Sequence, residues 1–192
     1  MKSELVRKSI HILIALVPPL ASINRSHTSL LLMCGVLFYA CLETLRFTGF
    51  SPPFFSSIIK TGAREQEKGN FVLGPVTLGL GALLALILFP PQAAAVAVYA
   101  QAFGDSAATL TGKFLGRIRP RFMAGKSVEG SLACCAVTAL LCFLVFGDWR
   151  IALATGLVSM LVEAFSSQDF DNLLLPLSAG FTASLAALLF GC

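Results

Sequence analysis

Apolar residues run in long blocks along most of the chain, separated by short polar stretches. The blocks lie near 5–22, 28–45, 71–89, 93–110, 131–147, 150–167 and 172–190. Each is close to the length a helix needs to cross a hydrocarbon layer about 30 Å thick. The first block is interrupted by Arg7, Lys8 and His11, is closed by Pro18 and Pro19, and lacks a small-residue cleavage site. It therefore reads as a retained span rather than a leader. The pattern predicts an all-α, polytopic membrane helical bundle of about seven transmembrane helices, forming a single membrane-embedded domain over 1–192. The one long connection, near 47–70, opens with Ser51-Pro52-Pro53. It then places Phe54, Phe55, Ile58 and Ile59 opposite Ser56, Ser57 and Lys60, a spacing that predicts an interfacial amphipathic helix on the inner leaflet.

Composition agrees with lipid as the main solvent. Hydrophobic residues make up 56% of the 192 positions, charged residues only 12%, and the mean hydropathy is +0.83. A soluble core of this size would need a charged surface around it. The formal net charge of +4 is too modest to suggest nucleic acid, and none is expected as a partner; the sequence is compatible with a homo-oligomer. The six cysteines lie in apolar stretches without a CxxC or Cys/His cluster, so they read as small buried hydrophobes rather than zinc ligands or a disulfide framework.

Charge placement orients the bundle. With the N-terminus in the cytoplasm, twelve of the fourteen Lys and Arg residues fall inside, and only Arg25 and Arg150 fall outside. Short loops follow this positive-inside bias, which also favours an odd number of spans. Nine of the ten acidic residues lie toward the same inner side, Asp148 being the exception. The positive-inside rule does not require that, and a water-accessible site for a charged ligand would explain it.

Three polar stretches carry candidate chemistry. In the run from Gly104 to Arg117, Asp105 closes an apolar block, and Ala108, Gly112 and Gly116 recur every four residues. That spacing fits close helix packing equally well, but a carboxylate in the membrane is costly and usually pairs, coordinates or works. In Gly125-Lys126-Ser127-Val128-Glu129-Gly130-Ser131, basic and hydroxyl groups stand among glycines. Such a backbone can approach a phosphate, or can simply start a helix; the order of a P-loop is absent. The third stretch, Glu163 to Asn172, holds Glu163, Asp169, Asp171 and Asn172. This is an oxygen-rich set suited to magnesium, of which helix capping would account for only one member.

The ordered set Arg7-Lys8-Ser9-Ile10-His11, Arg64-Glu65-Gln66-Glu67-Lys68-Gly69, Gly104-Asp105-Ser106-Ala107-Ala108 through Gly116-Arg117, Lys126 to Ser131, and Asp171-Asn172-Leu173-Leu174-Leu175-Pro176 resembles the dolichol kinase and phytol kinase family. These are membrane enzymes that transfer a phosphoryl group from CTP to a lipid alcohol with a divalent metal, and they are similar in turn to phosphatidate cytidylyltransferases. The chain lacks the extended Pro-Gly-His-Gly-Gly and Asp-Arg-x-Asp signature of the latter, which favours a kinase. The resemblance implies CTP and a polyprenol, phytol or diacylglycerol as substrates, with Mg2+ as cofactor. Asp105, Asp169 and Glu163 would be catalytic. Asp105, Asp171 and Asn172 would ligate the metal. Lys113, Gly112, Arg117, Lys126, Ser127, Glu129, Gly130, Arg64, Lys68 and His11 would form the nucleotide site, His11 having lipid-headgroup contact or simple snorkelling as alternatives. A CDP-lipid-forming enzyme and a small transporter are the competing classes, and a transporter would string its carboxylates through several spans. The expected setting is a bacterial cytoplasmic membrane, with the site facing the cytoplasm.

Overall fold

The computed structural model describes residues 9–49, 70–123, 125–167 and 170–191. Among them all regular structure is helical. We number the helices α1 (Val17–Phe47), α2 (Gly74–Leu88), α3 (Pro91–Tyr99), α4 (Asp105–Phe114), α5 (Val128–Phe146), α6 (Trp149–Phe165) and α7 (Asp171–Phe190). The expected interfacial helix near 47–70 falls almost wholly outside the described residues.

Pro18 and Pro19 do not end a helix, contrary to the sequence expectation. They occupy the first turn of α1, just after the 3-10 turn Ile14–Leu16, where a missing N–H costs little. The break comes instead at Asn24, the one non-helical residue inside α1 (φ −153°, ψ 102°). Its side-chain oxygen accepts from the His27 amide at 3.0 Å, so Asn24 caps a second helical segment. What looked like a loop between two blocks is a one-residue corner. Arg25, beside it, donates to the carbonyls of Leu86 and Phe89, placing a cation at the negative end of α2.

The block near 93–110 is also reshaped. α3 and α4 are joined without a break by a π-helical turn, Ala100–Gly104, so Pro91 to Phe114 forms one continuous helical rod. Asp105 is the first residue after that turn. At the far end of α5, Gly147 adopts φ 72° and its amide caps Phe143 O at 2.8 Å. Only two residues then lead into α6, which forces α5 and α6 to run antiparallel.

Small residues dominate the interior. Ala82, Ala85, Ala94 and Ala97 pack with Val17, Leu86 and Val98 between α1, α2 and α3. Ala183, Ala186 and Ala187 meet Ala93, Val96, Cys142 and Ile151 between α7, α3, α5 and α6. A side chain at Gly156 would stand 2.9 Å from Cys135 O, so α5 and α6 approach backbone to backbone at this glycine, as membrane helices do. Large apolar residues point outward: Leu144 is 71% exposed and Leu188 81%. Such a surface belongs in lipid. Among the described residues, three helical stretches are long and apolar enough to cross a membrane, Ser9–Arg46, α5 and α7, and α2 is a shorter apolar helix of 15 residues. The protein is a helical membrane protein.

Candidate active site

Among the described residues two buried polar centres stand out, one between the segment before α1 and the start of α4, the other between the residues leading into α5 and the neighbouring ends of α6 and α7. The first joins the segment before α1 to α4: His11 Nδ1 lies 3.1 Å from Asp105 Oδ2, and both residues are buried. The π-helical turn shifts the register of the rod by one residue, and it is immediately after that shift that Asp105 faces His11. Ser106, its neighbour, returns its hydroxyl to Ala102 O at 2.6 Å.

The second centre gathers around Lys126. Its ammonium lies 3.3 Å from Glu163 Oε1 and 3.9 Å from Asp171 Oδ2, and it also donates to Glu163 O and to Ser166 Oγ. Glu163 accepts a further bond from Ser131 Oγ at 2.6 Å. One cation thus sits between two carboxylates from different helices, in a place shielded from solvent, where unpaired charge is expensive. Ser127, the next residue, caps α5 by accepting the Gly130 amide at 3.1 Å.

The other sequence candidates have definite places. Gly112 and Gly130 face each other across the α4–α5 contact: a side chain at Gly112 would stand 2.8 Å from Ser127 Oγ, and one at Gly130 would stand 2.6 Å from Ala108 O. The four-residue repeat of Ala108, Gly112 and Gly116 therefore serves close packing, as its spacing allowed. Glu129 does not point into the polar centres. Its carboxylate accepts the backbone amides of Arg117 at 3.0 Å and Ile118 at 3.1 Å, tying the segment after α4 to the start of α5. Arg119 completes that tie by donating to the carbonyls of Gly125 and Gly112. Lys113 and Arg117 are exposed at the end of α4. Asn172 is buried, and its amide donates to Thr77 Oγ1 at 3.1 Å. Arg64, Lys68 and Asp169 lie outside the described residues.

Several polar partners carry no role in the sequence reading. Glu43 is fully buried, holds Arg46 through two hydrogen bonds and accepts the Val72 amide at 2.9 Å; a carboxylate three residues before an arginine at the end of an apolar block was its only signal. Gln101, a lone amide within an apolar block, is buried and bonded to α2 and α7. Ser131 and Ser166 stand inside the quoted stretches, but nothing in their spacing marks them as partners of Glu163 and Lys126.

Among the described residues, no three of His, Cys, Asp and Glu gather as a ready ligand set. Magnesium in a nucleotide site needs only one or two protein carboxylates, the rest of its shell being phosphate and water. Asp105 and Asp171 are buried carboxylates, each beside a basic side chain, His11 and Lys126 respectively.

Over 155 residues, 68% of this chain and 71% of the relative, the sequence is 26% identical to CTP-dependent diacylglycerol kinase 1 of Schizosaccharomyces pombe. The resemblance drawn from the ordered motifs agrees with this similarity. No family model and no solved structure matches the chain.

Proposed function

We propose that this protein is a CTP-dependent lipid kinase, which transfers the γ-phosphoryl group of CTP to the hydroxyl of a membrane lipid alcohol. The similarity to a CTP-dependent diacylglycerol kinase carries the reading, and the two buried polar centres supply groups suited to it. The helical stretches are read as seven passes with the N-terminus in the cytoplasm, which puts Lys126, Asp171 and the end of α4 at the inner face. The orientation is supported by the clustering of twelve of the fourteen basic residues on that side.

In this reading the lipid oxygen forms a bond to the γ-phosphorus as the bond to the β-phosphate oxygen breaks, CDP departs, and the hydroxyl proton passes to a carboxylate of the site. Phosphoryl transfer is mostly positioning and charge neutralisation. Exposed Lys113 and Arg117 would receive the triphosphate first. Lys126, already surrounded by acceptors, would exchange part of its pairing with Glu163 and Asp171 for phosphate oxygens. Asp105 and Asp171 would hold Mg2+, which neutralises the phosphate oxygens when bound. Ser131 fixes the rotamer of Glu163, and Glu129 fixes the segment that carries Arg117.

The test is a product assay with purified protein, CTP labelled in turn at the γ-phosphate and the cytidine, and a panel of diacylglycerol, phytol and polyprenol. Label from the γ-phosphate is expected in the lipid. Cytidine in the lipid would establish a cytidylyltransferase instead, and no labelled lipid from any acceptor would remove the kinase reading.

A further inference from the structure

Four oxygens surround the Lys126 ammonium: Ser166 Oγ at 3.2 Å, Glu163 Oε1 at 3.3 Å, Asp171 Oδ2 at 3.9 Å, and the main-chain oxygen of Glu163. An ammonium has three N–H donors, so the group presents one acceptor more than a lysine can use. Other residues hold these oxygens in place. Ser131 donates to Glu163 Oε2 at 2.6 Å, and the Asn172 amide donates to Asp171 Oδ1 at 2.8 Å. Each carboxylate thus has one oxygen fixed elsewhere and the other turned toward Lys126. Ser166 is fixed through its own amide, which donates to Val162 O at 2.8 Å. The Glu163 carbonyl belongs to the last turn of α6, the negative end of that helix. Glu163, Ser166 and Asp171 are buried, and the lysine side chain is only 12% exposed.

Two carboxylates, a carbonyl and a hydroxyl are the donor types of a hard divalent cation, which takes more oxygens than an ammonium can reach with three hydrogens. The two carboxylates also match such an ion in charge. The backbone of Lys126 is anchored on both sides, by the bond from its amide to Met123 O at 2.9 Å and by Ser127, the N-cap of α5. The ammonium therefore moves by rotation about its side-chain bonds around a fixed Cα.

We propose that Lys126 is a tethered cation occupying a metal seat: its ammonium and a divalent ion compete for Glu163 Oε1, Glu163 O, Ser166 Oγ and Asp171 Oδ2, and the ion enters when phosphate draws the ammonium away. The inference rests on the proposed function, which already gives Asp171 to Mg2+; the geometry adds Glu163 and Ser166, and it adds an order of events. The oxygens stand farther from the shared centre than the roughly 2.1 Å of a direct magnesium contact, so waters complete part of the shell. Free metal is kept off the seat until a nucleotide phosphate is present, which couples metal loading to nucleotide binding. A lysine that only balanced charge would not have this effect.

Mn2+, which accepts the same oxygen ligands as Mg2+, is the probe. It is titrated into the full chain in detergent, without nucleotide, and bound ions are counted by electron paramagnetic resonance. Lys126→Ala is expected to bind one Mn2+ at least tenfold more tightly than the wild type does, and adding Glu163→Gln should abolish that gain. Equal binding by Lys126→Ala and the wild type, or a gain that survives Glu163→Gln, would overturn the inference. The wild type reads the same competition from the other side. Acylation of Lys126 by a small amine reagent, followed by peptide mass spectrometry, should be at least threefold faster at high Mn2+, with exposed Lys113 as the unchanged reference. Labelling of Lys126 that ignores Mn2+ would overturn the inference even if Lys126→Ala does not fold. Neither measurement needs CTP or turnover. A shared seat in a protein that phosphorylates no lipid keeps the inference and removes the kinase reading, whereas kinase activity without a shared seat does the reverse.

Discussion

Gln101 donates through Nε2 to the carbonyl oxygen of Asn172 at 2.7 Å. Pro176, four residues further along α7, has no N–H to return to that carbonyl, so the amide from the α3–α4 rod replaces the hydrogen bond that the proline removes. The same nitrogen donates to Leu78 O at 3.0 Å, and Gly81 leaves the room: a side chain there would meet Asn172 O and the Gln101 amide. One amide therefore pins α2, the rod and α7 beside the residue that begins the acidic centre.

Gln101→Met keeps the volume and removes the donor. A buried carbonyl left without a partner costs about 1–3 kcal/mol, which in a chain of this size lowers the apparent melting temperature by about 2–10 °C. Thermal unfolding of the detergent-solubilised variant measures this. A melting temperature equal to that of the wild type would mean that Asn172 finds another donor.

Much of this fold is legible in the sequence because lipid imposes one strong rule, that a spanning backbone must satisfy itself as helix. Apolar block length therefore located most helices to within a few residues. Corners were less legible. Asn24 turns the chain with a single extended residue; the polar stretch from Ser22 to Ser29 marks a break there but not that one residue makes it, and the π-helical turn at Ala100–Gly104 leaves no compositional trace at all. In the site, carboxylates were visible because charge in an apolar chain is conspicuous, whereas their partners were not. That Asp105 meets His11, and that Lys126 meets Glu163 and Asp171, depends on how helices far apart in sequence pack. Glycines were the ambiguous class, since Gly112 and Gly130 fit a phosphate-binding loop and a helix contact by the same property, the lack of a side chain.

Lys126 neutralises Glu163 and Asp171, and in the proposed function it has a second, separable task, contacting phosphate. Lys126→Met should lower stability, because removing one partner of a buried ion pair costs about 3–5 kcal/mol, and should reduce turnover by about 100-fold or more. Adding Glu163→Gln removes one of the stranded charges. The double variant should regain much of its melting temperature but not its activity. Recovery of both would confine Lys126 to charge balance and rule out phosphate contact.

Orientation is accessible to chemistry. In a background with the six native cysteines replaced by alanine, Arg121→Cys should resist an impermeant thiol reagent in intact cells and react after permeabilisation. Arg150→Cys, on the opposite side in the proposed orientation, should react without permeabilisation. The reverse pattern would invert the bundle, and equal labelling of both would be incompatible with opposite sides.

The carboxylates proposed for the metal offer the sharpest separation of chemistry from fold. Asp105→Asn and Asp171→Asn keep nearly the same shape while removing the charge that would hold Mg2+. Charge stabilisation in phosphoryl transfer contributes about 3 kcal/mol or more per key group, so turnover should fall by roughly 100-fold or more in each variant. Stability should respond differently at the two positions. Asp171 stands in the first turn of α7, and its Oδ1 accepts the Asn172 amide at 2.8 Å; asparagine can accept in the same place, so that helix start should survive. Asp105 faces His11 at 3.1 Å, and an amide there replaces a charged contact with a neutral hydrogen bond, a loss of about 1–2 kcal/mol. Raising the magnesium concentration should partly restore the rate of a variant whose only defect is weaker metal binding, with a shifted half-saturation for Mg2+ as the signature. Folded Asp→Asn variants that keep more than about a tenth of wild-type turnover would be too active for essential metal ligands. Asp105 and Asp171 would then be packing and pairing residues, and the metal would have to be sought on Glu163 or among residues outside the described helices.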